Sequence, residues 1–156
     1  MKQRLVIATA VIWVLAASGL LMAQGSPFVG TWKLNVAKSK YDPGPAPKSQ
    51  TRKWESSGKV SVDGTDAAGK AMKYGYTIKS DGKPYPTTGA IPNGADTIAT
   101  KRVAPNTVQA SFKKAGKQVE TTTFAVSKDG KTLTIVAKGV TPSGQQFNNS
   151  NVWDKQ

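Results

Sequence analysis

Short runs of β-favouring residues, bounded by glycine- or asparagine-containing turns, recur from residue 27 to the end of the chain. Apolar and polar side chains alternate within the runs, and a period of two is typical of a β-strand with one buried face. The turns have the composition of tight hairpins. They are Ser57-Gly58, Ala68-Gly69, Asp81-Gly82, Pro105-Asn106, Ala115-Gly116, Asp129-Gly130 and Ser143-Gly144. The pattern predicts an all-β fold in which sequential antiparallel strands pair with each other.

Nine strands are predicted from this pattern. They cover residues 28–34, 50–55, 59–65, 71–79, 97–103, 107–113, 118–127, 131–140 and 145–153. Two segments rich in Pro, Gly or Asn interrupt the series, at residues 35–49 and 87–96. Because proline donates no ladder hydrogen bond and fixes φ, both segments are predicted to be long connections, and the first is expected to be an ordered loop or one short helical turn.

Alternation also assigns the faces of the strands. The residues predicted to point inward are Leu133, Ile135 and Ala137 in one row, Val108, Ala110 and Phe112 in a second, and Met72, Tyr74, Tyr76 and Ile78 in a third. A sheet of this many strands with one apolar face must close to bury that face and pair its edges. We expect an antiparallel up-and-down β-barrel of about eight to ten strands, with an interior that is either filled or left as a small cavity.

Residues 1–23 have the order of a secretory signal peptide. Lys2 and Arg4 precede an uncharged apolar run at residues 5–22, and Ala23 stands immediately before the polar Gln24. The alternative is an uncleaved anchor, because the run is just long enough to span a bilayer. The signal interpretation predicts an exported protein, periplasmic or extracellular. Its single mature domain would comprise residues 24–156, with no stable transmembrane segment after processing.

Cysteine and histidine are both absent from the chain, which has nine acidic residues. These absences exclude disulfides, thiolate and imidazole zinc sites, and triads that depend on histidine. Asp63, Asp66 and Glu120 are the best remaining candidates for acid–base work, but no metal-ligand or glycine-rich motif accompanies them. We expect a protein that is not an enzyme and uses neither a cofactor nor a metal.

The chain is strongly basic, with a formal charge of +13 from 22 basic and nine acidic residues. Loss of Lys2 and Arg4 with the signal would lower +13 to +11. A field of this size attracts anionic surfaces and polymers. Because the lysines are dispersed among apparent turns, one interpretation is an ordinary solvated surface. The other is a surface that docks on anionic components of the cell envelope; nucleic acid is not expected as a partner of an exported protein.

The sequence Phe-Val-Gly-Thr-Trp-Lys-Leu-Asn at residues 28–35 resembles the first strand of the calycins, which include lipocalins and fatty-acid-binding proteins. With Ala-Lys-Ser-Lys-Tyr at 37–41 and the proline-rich segment that follows, residues 28–155 are similar to small secreted lipocalin-like proteins of bacteria. The resemblance implies that Trp32 is a structural plug at one end of the barrel, often packed against a basic side chain from a late strand. The sequence does not decide whether Arg52, Arg102 or neither makes that contact.

One feature of the family is missing from the last strand. Fatty-acid-binding proteins hold the ligand carboxylate there with an Arg-x-Tyr pair, whereas residues 149–153 of this chain are Asn-Ser-Asn-Val-Trp. The resemblance therefore does not carry fatty-acid binding over to this chain, and we expect weak affinity for simple fatty acids.

The first functional hypothesis is a barrel that binds a small apolar or weakly acidic molecule, such as a lipid, in its mouth. Its candidate ligand-binding residues are Tyr74, Tyr76, Phe112, Arg102 and Arg52. The aromatic residues would line the mouth, and one of the arginines would bind an acidic group. The alternative is that these aromatic side chains fill a solid core.

The second hypothesis is a basic surface-interaction protein without an internal ligand. Salt distinguishes the two hypotheses, because docking on an anionic surface weakens steeply with ionic strength whereas binding in a dry pocket changes little. In the first hypothesis the connections at residues 35–49 and 87–96 form the rim of the mouth.

Cleavage of the exported form after Ala23 should leave Gln24 as the first residue, because Ala23 is the small residue that directly joins the apolar run to the polar start of the domain. Intact-mass analysis of protein recovered from the periplasm or the medium measures the terminus. Recovery of the full-length chain from the membrane fraction would show that residues 1–23 are an anchor.

Overall fold

The structure, a computed structural model, describes residues 25–156. The predicted signal peptide and Gln24 lie outside the described residues. Eleven β-strands and no helix occur in this part of the chain, so no helix in it is long and apolar enough to cross a membrane. The strands are β1 (Gly30–Lys40), β2 (Ser49–Trp54), β3 (Lys59–Thr65), β4 (Ala71–Thr77), β5 (Asp81–Pro86), β6 (Thr88–Gly89), β7 (Thr97–Ala104), β8 (Thr107–Lys114), β9 (Lys117–Val126), β10 (Thr132–Val140) and β11 (Gln146–Lys155).

The strands form one antiparallel sheet that curves into a nearly closed up-and-down barrel. Strand β1 pairs with the last strand, β11, on one side and with β2 on the other. From β1 the sheet runs through β2, β3 and β4 to β6, and in the other direction through β11, β10, β9, β8 and β7 to β5. The two ends of the sheet meet where β4 and β5 lie side by side, and these described strands share no ladder of paired residues. The fold class predicted from the alternation is therefore confirmed.

The predicted strands correspond to β1–β4 and β7–β11, and their ends differ by a few residues. The largest difference is in β1, which was expected to end at Leu34 and continues to Lys40. Its register against β11 shifts between Asn35 and Lys40. An irregularity of this kind lets a strand continue while its alternation is lost, which is why the sequence pattern ended early.

Strand β5 was not predicted, because its sequence, Asp-Gly-Lys-Pro-Tyr-Pro, contains two prolines. Proline is compatible with an edge strand, whose outer side needs no ladder partner. Strand β5 is such an edge and pairs only with β7. The Asp81-Gly82 pair was expected to be a hairpin turn between strands and instead begins β5, with Ser80 and Gly82 both at positive φ. The very short β6 lies inside the predicted connection at 87–96.

The predicted inward rows point into the barrel. All six residues of the rows on β8 and β10 are buried. Burial changes along the row on β4: Tyr76 and Ile78 are buried, whereas Met72 and Tyr74 are only half-buried. The two half-buried residues lie at the end of the barrel from which the connections after β1 and β3 leave. That end is therefore packed less tightly than the other.

Aromatic side chains fill the opposite end of the barrel. Trp32 is fully buried, and its indole N–H donates a hydrogen bond to the carbonyl of Phe28 at 2.8 Å. The Phe28 ring stacks on Trp54 at 4.6 Å between centroids, and Trp54 in turn meets Phe124 edge-on at 5.7 Å. Rings packed in these arrangements leave no space for solvent. This end of the barrel is closed.

The basic side chain across Trp32 comes from Lys155 of the last strand, and neither candidate arginine makes the contact. The Lys155 ammonium lies 5.0 Å from the centre of the Trp32 ring. Gly30 allows this approach: its φ is +140°, and a Cβ at this position would lie 2.8 Å from the Lys155 side chain. The sequence-based candidates for this contact were Arg52 and Arg102, and Lys155 was not among them.

Replacement of Trp32 by alanine should lower the free energy of unfolding by about 3 to 5 kcal/mol, because it leaves a cavity in a packed layer and an unpartnered Phe28 carbonyl. Urea unfolding at equilibrium measures the loss. Val103→Ala is the control: Val103 is 49% exposed, and its truncation should change the free energy of unfolding by less than about 0.5 kcal/mol. A loss below about 1 kcal/mol for W32A would show that the closed end does not depend on Trp32.

Candidate ligand-binding cavity

The half of the barrel opposite Trp32 is hollow. It contains a cavity of about 470 Å³, within the range of roughly 300 to 1,000 Å³ that is typical of small-molecule sites. Residues from the connections after β1 and β6 border it: Tyr41, Pro43, Pro45, Pro47, Ile91 and Pro92. The two long connections of the sequence analysis therefore lie around the mouth of the barrel.

A change of polarity along the inward rows distinguishes the hollow half from the packed half. On β9 the inward residues change from Glu120 and Thr122 near the mouth to Phe124 and Val126 at the closed end. On β2 Arg52 lies in the cavity wall, and Trp54, the next inward residue, belongs to the packed layer. Apolar side chains interdigitate, whereas buried polar groups need hydrogen-bond partners. The polar half therefore keeps space that solvent or a ligand can enter.

Arg52 carries a positive charge into the interior of the barrel. The residue is only 4% exposed. One of its terminal N–H groups donates to the hydroxyl of Tyr76, which projects from β4. The guanidinium carbon lies 4.8 Å from the ring centre of Trp153, 5.8 Å from that of Tyr76 and 5.9 Å from that of Phe124. Three aromatic rings thus surround the cation.

No carboxylate lies within ion-pair distance of Arg52 among residues 25–156, where the ion pairs are Lys38–Asp154 and Lys73–Asp63; Glu120 acts on the Arg52 charge from a longer distance. The Nε atom of Arg52 is buried and also lacks a hydrogen-bond partner in the described chain. A guanidinium stays protonated at neutral pH. Removing such a cation from water costs several kcal/mol, of which each ring contact returns about 0.5 to 2 kcal/mol. Arg52 is therefore left without an ion-pair partner and with one N–H group that has no acceptor among the described residues.

Tyrosine hydroxyls supply neutral donors around the cavity. Burial raises the pKa of Tyr74 and of Tyr76, and the charge of Arg52 opposes this shift in both. Burial likewise raises the pKa of Tyr41 to about 12. All three phenols are therefore protonated at neutral pH and can donate a hydrogen bond. The Tyr41 hydroxyl has no partner among the described residues.

Glu120 joins the rim to the wall. Its carboxylate accepts a hydrogen bond from the Asn93 side-chain amide at 2.7 Å and another from the Thr122 hydroxyl. Asn93 in turn accepts from the backbone N–H of Ala95 at 2.9 Å. Burial raises the pKa of the Glu120 carboxyl, while the bonds from Thr122 and Asn93 and the charge of Arg52 act in the opposite direction. The connection after β6 is thus fixed to β9 through a buried carboxyl.

Four of the five candidate binding residues, Tyr74, Tyr76, Phe112 and Arg52, come together in the cavity wall. Arg102 does not. It is exposed near the closed end, where it donates to the carbonyl of Pro105 at 2.7 Å and lies 5.4 Å from the ring centre of Phe28. Arg102 follows the inward positions Ile98 and Thr100 on β7, but it is the last residue of β7 that pairs with β8 before the register shifts. Arg102 therefore lies apart from the cavity that the other four residues line.

Polar residues of the cavity were missed by the sequence analysis. Glu120 was weighed only as a catalytic group, although its spacing from Phe124 and Val126 places it on the inward row of β9. Asn151 follows from the same argument on β11, two positions before Trp153. Asn93 and Tyr41 lie in connections, where alternation carries no information. No cluster of three or more acidic side chains that could hold a metal ion occurs in the part of the chain that the structure describes.

The other carboxylates of the sequence analysis lie outside the cavity interior. Asp63 is on the outer surface, where it pairs with Lys73 at 3.3 Å. Asp66 lies at the rim and accepts a hydrogen bond from the backbone N–H of Lys70 at 2.8 Å.

Comparison of the chain with known protein families, curated proteins and solved structures finds no match. The nearly closed antiparallel barrel is consistent with a calycin-like fold.

Glu120→Gln should change how stability depends on pH. Burial raises the pKa of the folded Glu120 carboxyl above its ordinary value of 4.5, so the folded chain binds the proton more tightly than the unfolded chain. The contribution of Glu120 to stability is then full below pH 4.5 and is lost as pH rises through the folded pKa. Relative to E120Q, the unaltered protein should lose stability from acid to neutral pH in urea unfolding.

Asp129→Asn is the matched control, because hydrogen bonds from Ser127 and from the Lys131 backbone lower the pKa of the exposed Asp129 carboxyl. The pH dependence that Asp129 gives to stability is opposite to that of Glu120. The stability that Asp129 contributes is present above its unfolded pKa and is lost as pH falls through its folded pKa. Equal pH dependence in E120Q and the unaltered protein would contradict a buried, raised Glu120.

Proposed function

We propose that this protein is an exported, non-enzymatic β-barrel that binds a small, mostly apolar and weakly acidic molecule in its mouth. The observation that carries the proposal is Arg52, a buried cation with an unpartnered Nε in the wall of an open cavity. A ligand carboxylate in the cavity would give this cation the ion-pair partner that it lacks among residues 25–156. Charge-assisted bonds of this kind are the stronger class of hydrogen bond.

The pairing of Arg52 with Tyr76 supports an acidic ligand group. Fatty-acid-binding proteins, which the first strand resembles, use an arginine and a tyrosine from the last strand for the carboxylate. In this chain an arginine on β2 and a tyrosine on β4 project towards the same point of the interior and are joined by a hydrogen bond. The Tyr76 hydroxyl accepts that bond, so its own proton is available to a ligand oxygen.

The remaining wall favours an apolar body for the ligand. Side chains of Met72, Phe112, Ile135, Ala137 and Phe147 line the cavity, with proline rings at the rim. Each methylene group that a ligand buries against such a wall contributes about 0.8 kcal/mol. The proposed ligand therefore has an acidic end near Arg52 and an apolar part that extends towards the mouth.

Binding without catalysis is the proposed activity because the polar groups of the cavity are not arranged for proton transfer. Glu120 is the carboxyl best placed inside, and its two oxygens already accept bonds from Asn93 and Thr122. The chain supplies neither histidine nor cysteine to act beside it. The signal-like residues 1–23 support export to the periplasm or the medium.

The alternative function, docking on an anionic envelope surface, is supported by the formal charge of +13 and by the exposure of the lysines. The described residues contain only the two ion pairs named above, so most of these lysines remain available. The lysines do not form one face, however. We therefore place this function second and use salt to separate it from the first.

The test is fluorescence titration with 11-(dansylamino)undecanoic acid, whose dansyl emission rises in an apolar site. One equivalent should bind, and Arg52→Met should weaken binding about tenfold or more because a charge-assisted bond is lost. Arg102→Met is the matched control and should bind as the unaltered protein does. Raising salt from about 50 to about 500 mM should change the affinity less than about threefold.

Thermal unfolding checks that both arginine variants are folded. Equal affinity in R52M and the unaltered protein would remove Arg52 from the site. Absence of probe binding, with salt-sensitive attachment to vesicles that contain phosphatidylglycerol, would replace this proposal by the surface-docking function.

A further inference from the structure

Two opposite charges lie in the wall of the cavity. Arg52 projects from β2 and Glu120 from β9, and both residues line the cavity. Among the described residues of the lining, the remaining charged one is Asp66, which lies at the rim in the turn after β3. Arg52 and Glu120 act on each other through their charges. With both groups ionised, their charges cancel inside the barrel.

The other side chains that face Glu120 carry no charge at neutral pH. The titratable ones around the same space are three phenols: Tyr41, Tyr74 and Tyr76. Burial raises the pKa of each phenol, so all three stay neutral. The residues paired with Glu120 on β8 and β10 are Phe112 and Gly139, neither of which titrates. Asn93, which faces Glu120 from the connection after β6, is neutral as well.

An anionic ligand adds a second negative charge to this space. The cavity has a volume of about 470 Å³, and a compact space of that size is about 10 Å across, which is about one Debye length at moderate salt. A ligand carboxylate in the cavity therefore acts on Glu120 through space, whether or not the two groups touch. Two carboxylates and one guanidinium leave a net negative charge, and an uncompensated buried charge is costly. Protonation of one carboxyl removes that cost.

We infer that an acidic ligand enters the cavity together with one proton, and that Glu120 holds this proton in the complex. The proton comes from solvent, or from the acid itself where the acid enters undissociated, and it goes to a carboxylate oxygen of Glu120. Arg52 then remains as the counter-charge of the ligand. This inference rests on the proposed function, because it concerns an acid in the same cavity.

The surroundings of Glu120 give the direction of the pH effect. Burial raises the pKa of its carboxyl, while the hydrogen bonds from Thr122 and Asn93 and the charge of Arg52 oppose that shift. A ligand anion adds a like charge, so the pKa of Glu120 is higher in the complex than in the free protein. By linkage, the affinity for the anion is highest below the pKa of the free protein. It falls as pH rises from that pKa to the pKa of the complex.

The first test is the pH dependence of binding of 11-(dansylamino)undecanoic acid in the unaltered protein and in Glu120→Gln. From about pH 5 to about pH 8 the affinity of the unaltered protein should fall at least about fivefold more than that of E120Q, which is the size of a typical coupling between sites. The ionisation of the probe is common to both titrations and cancels from the ratio. Asp129→Asn removes the same charge at an exposed position outside the cavity lining and should follow the unaltered protein.

Isothermal titration calorimetry of the unaltered protein counts the proton directly and does not depend on how E120Q folds. In pairs of buffers that differ in ionisation enthalpy, at about pH 5.5, 6.5 and 7.5, binding of the same probe should take up at least about half a proton per ligand at one pH or more. A smaller uptake at all three, or the same pH dependence in E120Q and the unaltered protein, overturns the inference while the proposed function stands. If the probe binds at no pH, the proposed function itself is wrong.

Discussion

The nearly closed barrel wall imposes one constraint on the side chains inside it: each inward side chain must either pack against others or find a polar partner. This chain meets the constraint differently in its two halves. Around Trp32 the inward side chains are large and apolar, and they fill the space. Towards the mouth Arg52, Thr122 and Glu120 replace them. Because these groups need partners rather than close apolar contact, the same wall encloses a packed end and a hollow end.

The buried charge of Arg52 is the clearest consequence of that division. A cation with one hydroxyl partner and three aromatic neighbours is only partly compensated. Replacing a buried ionic group by a well-packed apolar one is often neutral or stabilising, so stability alone gives no reason to keep an arginine at this position. The proposed recognition of an acidic group would give such a reason.

The sequence was sufficient for the fold because alternation is a property of each strand taken alone. The period of two and the glycine turns identified nine strands and put Tyr74, Tyr76 and Phe112 on the inward face. The predictions that failed were those that depended on how the strands pair with each other. The prolines of β5 argue against a strand unless it lies at an edge, and the edge follows from the sheet order. Arg102 follows the inward alternation of β7, yet it lies next to a register shift and bonds to the Pro105 carbonyl. Alternation does not tell at which end of the barrel a residue lies.

The candidate site was less accessible from sequence for the same reason. Its arginine–tyrosine pair comes from β2 and β4, which are not neighbours, and its rim comes from connections that have no period. Fatty-acid-binding proteins, which the first strand resembles, carry the pair on the last strand, where this chain lacks it. In a barrel, however, inward side chains of non-adjacent strands converge on the same interior space. An arginine–tyrosine pair that binds a carboxylate can therefore be placed on other strands than in the family. The absence of a family motif at one position therefore does not argue against recognition of an acid.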